Sequence, residues 1–318
     1  HDGGQTWESK KMTSDYGVHG DPVVISDNSG RYYYFHLSNP ILGSWIDRIV
    51  CQTSEDFGKT WSTGSYTGLN GNKAQDKHWA VYNEATNEVH VSWTQFDIYG
   101  SRNKDFQSNI LYSKSGDNGA TWTMPYQVNQ TSGDCIDSSL TTEGAVPTFS
   151  NDGSLYIAWA GPAGIRMNSF SEDTWLPATT LVDSNKAGWS YSIPGVNRCN
   201  GMPVTICDRS KGNNEGRIYV NWSDQREGTD NTDIFLKYSD TKGEQWSEPI
   251  RIGKRGGKNH QFLTWMSVDQ TTGALYFVYY DRSRFKDNRT DVVLARSYDG
   301  GKSFKYKRIR QSPFTPVS

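Results

Sequence analysis

The chain has 318 residues, room for one large all-β domain or two small ones. Its formal net charge of −2 argues against a nucleic-acid partner, which calls for a basic excess, and no stretch approaches the roughly 20 apolar residues of a membrane span. Aromatic residues make up 13% of a chain that is only 34% hydrophobic; with 31 glycines, this favours many short strands and tight turns over helices.

Residues 2–7 open the chain with Asp-Gly-Gly-Gln-Thr-Trp. A strand pair is predicted at 22–25 and 30–34, and residues 54–61 then spell Ser-Glu-Asp-Phe-Gly-Lys-Thr-Trp. The next pair, 79–82 and 88–93, leads to Ser-Gly-Asp-Asn-Gly-Ala-Thr-Trp at 115–122. Strands at 147–149 and 153–159 precede a looser turn at 171–175. Strands at 203–206 and 216–222 precede another at 239–246, where Thr241 takes the aspartate slot. The last pair, 265–268 and 273–279, leads to Ser-Tyr-Asp-Gly-Gly-Lys-Ser-Phe at 297–304. A third strand runs into each turn, as at 233–238 and 291–297, and a fourth follows, as at 248–252.

The recurring turn is S-x-D-x-G-x-T-W. Its aspartate can accept bonds from turn N–H groups, its glycine supplies a positive φ, and its final aromatic can pack between sheets. The closing aromatics are Trp7, Trp61, Trp122, Trp175, Trp246 and Phe304. They stand roughly 50–70 residues apart, enough for one four-stranded blade with its loops. Five complete blades are expected. Residues 1–14 hold only a turn and a fourth strand, so a sixth blade is incomplete in this sequence. Its other strands are expected from residues trimmed at one end, the C-terminal end being favoured, in a strand-swapped closure.

This box resembles the Asp-box, or BNR repeat, of the sialidase superfamily, and the resemblance covers the whole chain. It implies an all-β, six-bladed propeller of four-stranded antiparallel blades, a single domain over 1–318, in a secreted or cell-surface protein. Many such proteins hydrolyse glycosides. Sialidases in the family use an arginine triad, a Tyr–Glu pair and an aspartic acid, the first arginine lying in a Phe/Tyr-Arg-Ile-Pro motif. That motif is absent here; the nearest string is Asp47-Arg48-Ile49-Val50, in a predicted third strand.

In such a propeller the face opposite the Asp-boxes gathers the loops before strand one and after strand two. Glycoside hydrolysis needs carboxyl groups flanking one bond. The catalytic candidates are Asp21, Asp76, Glu143 and Asp281. Asp281 and Asp224 occupy matching blade positions, which also fits a structural role. Arg226, Arg282 and Arg284 are candidates to clamp an acidic sugar. His19, His78 and His260, from three blades, are further substrate-binding candidates, without the tight spacing of a metal site. Trp189 and Tyr191, in the long 183–201 loop, are candidates to stack on a sugar. No cofactor or metal is called for. The four cysteines form no CxxC pair; Cys135 and Cys199 lie in loops where they could bond, the alternative being four buried thiols. The sequence thus predicts a secreted glycoside hydrolase acting on a glycan, with an acidic sugar favoured. A non-catalytic glycan- or protein-binding propeller and a polysaccharide lyase are the alternatives.

Overall fold

The computed structural model describes residues 3–189, 191–253 and 259–316, and among them there is no helix. Five antiparallel sheets follow one another along the chain. The first holds β1 (Val23–Ser26), β2 (Tyr32–Leu37), β3 (Ile49–Ser54) and β4 (Ser65–Thr67). The second holds β5 (Ala74–Asn83), β6 (Glu88–Phe96), β7 (Ser108–Ser115) and β8 (Tyr126–Gln127). The third has β9 (Glu143–Phe149), β10 (Leu155–Ala160) and β11 (Ile165–Ser171), with β12 (Thr174–Trp175) and β13 (Thr180–Asp183) both paired to β11. The fourth has β14 (Val204–Cys207), β15 (Ile218–Asp224), β16 (Asp233–Ser239) and β17 (Ile250–Ile252). The fifth has β18 (Gln261–Val268), β19 (Leu275–Asp281), β20 (Asp291–Ser297) and β21 (Lys305–Arg308).

The apolar cores lie between sheets, because each strand turns alternate residues to the two neighbours. Tyr33, Phe35, Val91 and Trp93 close the space between sheets one and two. Ile110, Phe149, Leu155 and Trp159 fill the next gap, then Ala158, Val220 and Trp222, then Tyr219, Leu236 and Phe277. The first strands pack in series: β1 on β5, β5 on β9, β9 on β14, and β14 on β18. This places them around a common axis, in a propeller-like array. Sheets five and one each keep one face half open. Val278 is 38% exposed and Val24 59%, beside the half-buried Tyr276, Tyr280, Tyr32 and Tyr34.

The turn motif acts as expected. In the box at 54–61 the Ser54 hydroxyl donates to Asp56 and accepts from the Gly58 amide (2.9 Å). Asp56 accepts the amide (2.8 Å) and hydroxyl (2.6 Å) of Thr60. The boxes at 115–122 and 297–304 repeat this set. Hydrogen bonds from Thr60, Thr121 and Ser303 hold Asp56, Asp117 and Asp299 down at about 2. At 239–246 the Thr241 hydroxyl replaces the carboxylate and accepts the Gln245 amide at 2.8 Å. The Trp7, Trp61 and Trp246 indoles close on the carbonyls of Gly4, Gly58 and Gly243, each at 3.1 Å. Trp122 instead donates across to Ser65 of sheet one at 2.8 Å.

Three expectations change. The segment 171–175 is not a box: Glu172 and Asp173, both at positive φ, make a two-residue hairpin between β11 and β12. Residues 8–14 form no strand; the Thr13 carbonyl accepts from Gln52 at 3.0 Å. The four cysteines are free, buried thiols, so Cys135 and Cys199 do not bond. Asp2 of the first box lies outside the described residues.

Candidate functional site

A β-bulge shapes the entrance of four of the five first strands. Lys77 and His78 together oppose one residue of β6, Gly144 and Ala145 one of β10, and Leu263 and Thr264 one of β19. In sheet one, Gly20 bonds Leu37 and Val23 pairs Phe35, so Asp21 and Pro22 share a single partner. The first residue of each bulge has positive φ: 51° at Asp21, 49° at Lys77, 77° at Gly144 and 51° at Leu263. Glycine adopts this region freely, but aspartate, lysine and leucine do not. Strain repeated at one rim marks a place worth testing for function. Geometrically, the bulge bends each strand and re-aims its side chains at the axis.

The axis is a funnel of about 510 Å³, a size usual for ligand sites. Its walls are Val23, Trp79, Val146 and Trp265, each two residues after the first residue of a bulge, with Val204 of β14. Trp79 and Trp265 meet with ring centroids 4.3 Å apart. Leu263, Met202, Asn200 and Ser223 also line it.

Asp21 and Lys77 stand in the funnel wall, with Asp76 and Glu143 against them. The Lys77 ammonium lies 2.9 Å from Asp76 and 2.7 Å from Glu143. Despite its burial, these two carboxylates raise the Lys77 pKa, so it stays charged. Glu143 is buried, with Oε2 accepting the Trp189 indole N–H at 2.6 Å. Burial pushes it up to about 7, with Lys77 pulling the other way. The Asp21 carboxyl stands beside that of Asp76, near enough for the two to interact. Asp21 has accessible surface, yet the concave wall removes much of its water. That desolvation, then the Asp76 charge, raises its pKa. Asp21 therefore keeps its proton to higher pH than an ordinary aspartic acid.

An aromatic and ionic rim continues from there. Arg198 stacks on Trp189, 3.9 Å from guanidinium carbon to ring centroid, and pairs with Asp137. Tyr99 donates to Asp137 at 2.7 Å, Trp45 packs on Tyr99, and His19 packs on Trp45.

Of the sequence candidates, Asp21, Asp76, Glu143, Trp189, His19 and His78 gather at or beneath this funnel. His78 is buried there, and burial lowers it to about 4, leaving a neutral ring. The others stand elsewhere. Asp281 lies in a separate cleft and accepts the Ser283 amide at 2.7 Å, the structural use its repeated position suggested. Arg226 pairs with Asp224 and Asp183, and Arg284 with Asp291. Arg282 is buried, donating to the Pro194 carbonyl at 2.7 Å and to Thr290 at 3.0 Å. His260 contacts Thr232 at 2.9 Å. Tyr191 bonds Asn185 and packs in the loop core with Ile193 and Cys199. The Asp47-Arg48 string is an ion pair, with Arg48 over Tyr66. Reading by chain position alone did not join Arg198 and Asp137 to Trp189 as one rim, nor single out Leu263 in the funnel lining. The aligned tryptophans at 79 and 265 were the visible signal for the funnel floor.

No family profile matches the chain, and no curated protein matches its sequence. Solved structures do match its fold. The NanB sialidase from Streptococcus pneumoniae superposes with a TM-score of 0.58 at 10% identity, over 95% of this chain and 62% of that one. A Hadza microbial sialidase, Hz136, gives 0.54 at 15% identity, over 94% and 60%. A polysaccharide lyase of family PL25, an ulvan lyase, gives 0.53 at 13% identity, over 95% and 71%. The chain thus spans about three fifths of the length of these sialidases. Taken with the ring of sheets and the Asp-box turns, these matches show that the chain has the sialidase-like propeller fold.

Proposed function

We propose that this chain is a glycoside hydrolase whose proton donor is the Asp21–Asp76 pair. The placing of Asp21 in the wall of a ligand-sized funnel, beside the Asp76 charge, carries the reading. Burial and the neighbouring Asp76 charge raise the Asp21 pKa, so Asp21 keeps its proton to higher pH, as a general acid must. The proton passes to the glycosidic oxygen as the bond to the anomeric carbon breaks. Water supplies the hydroxyl to that carbon, and its proton restores the pair. Lys77 fixes Asp76 from one side, while Glu143 and Trp189 fix Lys77 from the other.

The sialidases and the lyase of like fold act on glycans by their own names, which supports the substrate class. A second reading, a non-catalytic glycan-binding propeller, draws support from the ion pairs that engage Asp76 and Glu143 through Lys77. Turnover separates the two. Asp21→Asn should cut the hydrolysis of a responsive aryl glycoside at least ~100-fold while leaving the thermal midpoint in place. A folded wild-type protein inert toward a broad glycoside panel, yet binding glycans, would select the second reading.

We further propose that a sixth sheet seats between the half-open faces of sheets five and one, as part of one domain over 1–318, and that the protein acts outside the cell. The closed turn at Gly4–Trp7, which belongs to none of the five sheets, supports the former. Detection of the intact protein in culture medium or at the cell surface tests the latter.

A further inference from the structure

We propose that the funnel takes an uncharged sugar residue, not a sialic or uronic acid, and holds it against Trp265. This rests on the funnel being a glycan site. The argument begins with charge. Asp21, Asp76 and Glu143 face one ammonium, that of Lys77, which two of them already share. Further cations are likewise engaged. Arg198 is held by Asp137 and Tyr99 and lies flat on Trp189. Lys73 sits 2.7 Å from Asp97, and Arg48 makes a two-pronged pair with Asp47. Arg226, Arg282 and Arg284 are bound elsewhere in the fold. A ligand carboxylate entering here would have to displace a protein carboxylate from its cation. It would also meet the Asp21–Asp76 pair, a like charge within a low-dielectric wall.

The walls make the complementary case. Trp265 is 42% exposed and Leu263 39%, although both sit at the axis of the molecule. Trp79 backs the Trp265 ring, so the indole is braced. Sugar rings present C–H faces, and an indole is the side chain best suited to receive one. Val23, Val146 and Val204 offer nothing to an ionic group. Asn200 and Ser223 supply polar atoms at the wall for hydroxyls. The funnel is thus apolar below and acidic at one side, which suits hydroxyls that donate to carboxylates.

The test uses the full chain and tryptophan fluorescence with matched probes that differ chiefly in a carboxylate. These are galacto- against galacturono-oligosaccharides, glucosides against glucuronides, and lactose against 3′-sialyllactose. A neutral member should bind at least tenfold more tightly than its acidic partner. Trp265→Ala should weaken the neutral ligand at least tenfold; Trp265→Phe should keep most of the binding, showing that the ring itself is used. Equal or tighter binding of the acidic partners overturns the inference and leaves the glycan site standing. Silence of the folded protein toward every probe overturns both.

Discussion

Glu143→Gln tests the buried electrostatics most directly. In the native protein burial lifts this carboxyl from 4.5 to about 7. At 1.36 kcal/mol per pH unit, the gap comes to about 3 kcal/mol. Between those two pH values the unfolded chain has released the proton while the native state keeps it. Stability therefore falls as pH rises from 4.5 to 7, and levels off above that. Glutamine does not titrate, so the variant lacks this slope. It carries a different cost: its amide must meet both the Lys77 ammonium and the Trp189 N–H with one acceptor, leaving a donor facing a donor, about 1–3 kcal/mol. The wild type should therefore be the more stable at pH 4.5, and its lead should shrink by about 3 kcal/mol by pH 8. Asp233, lifted by burial to about 6, titrates in both proteins and cancels in the difference. Urea unfolding followed by tryptophan fluorescence at pH 4.5, 6 and 8 measures this. Parallel stability curves for the two proteins would refute the account.

Trp189→Phe removes the indole donor from Glu143, so the decline in stability, which still begins at 4.5, should run to a higher pH than in the wild type before it levels off in the same assay. In the Asp-boxes the sign is opposite. Asp56, Asp117 and Asp299, held at about 2, stabilise the fold above their ordinary 3.8, and that contribution is lost as pH falls from 3.8 towards 2. Replacing all three by asparagine should flatten the acid limb below pH 4 and leave the slope between 4.5 and 7 alone; an unchanged acid limb would contradict the turn geometry. Thiol titration should count four reactive groups in denaturant and almost none in the native protein, with or without prior reduction. A value of two before reduction would mean a disulfide.

The ring of sheets was legible because its cause is local. Ser54, Asp56, Gly58, Thr60 and Trp61 make a closed set of bonds within eight residues, and that set leaves its letters in the sequence each time it recurs. The copy at 239–246 survives replacement of aspartate because a threonine hydroxyl accepts the same amide. The copy at 171–175 fails because two left-handed residues offer a shorter turn. Arginine partners were not legible. Arg226 has Asp224 two residues away but also Asp183 from another sheet, and Arg282 ends on the carbonyl of a distant loop.

The sequence by itself determined the repeating turn, the all-β character and the set of carboxyls before the first strands, all consequences of residues near one another in the chain. Only the tertiary structure decided which of those carboxyls meet. Asp21 reaches Asp76, and Lys77 reaches Glu143, across different sheets, by bulges whose left-handed residues carry no sequence signature beyond one glycine. Long-range proximity in a ring depends on how far each sheet is turned about the axis, and packing between sheets sets that turn.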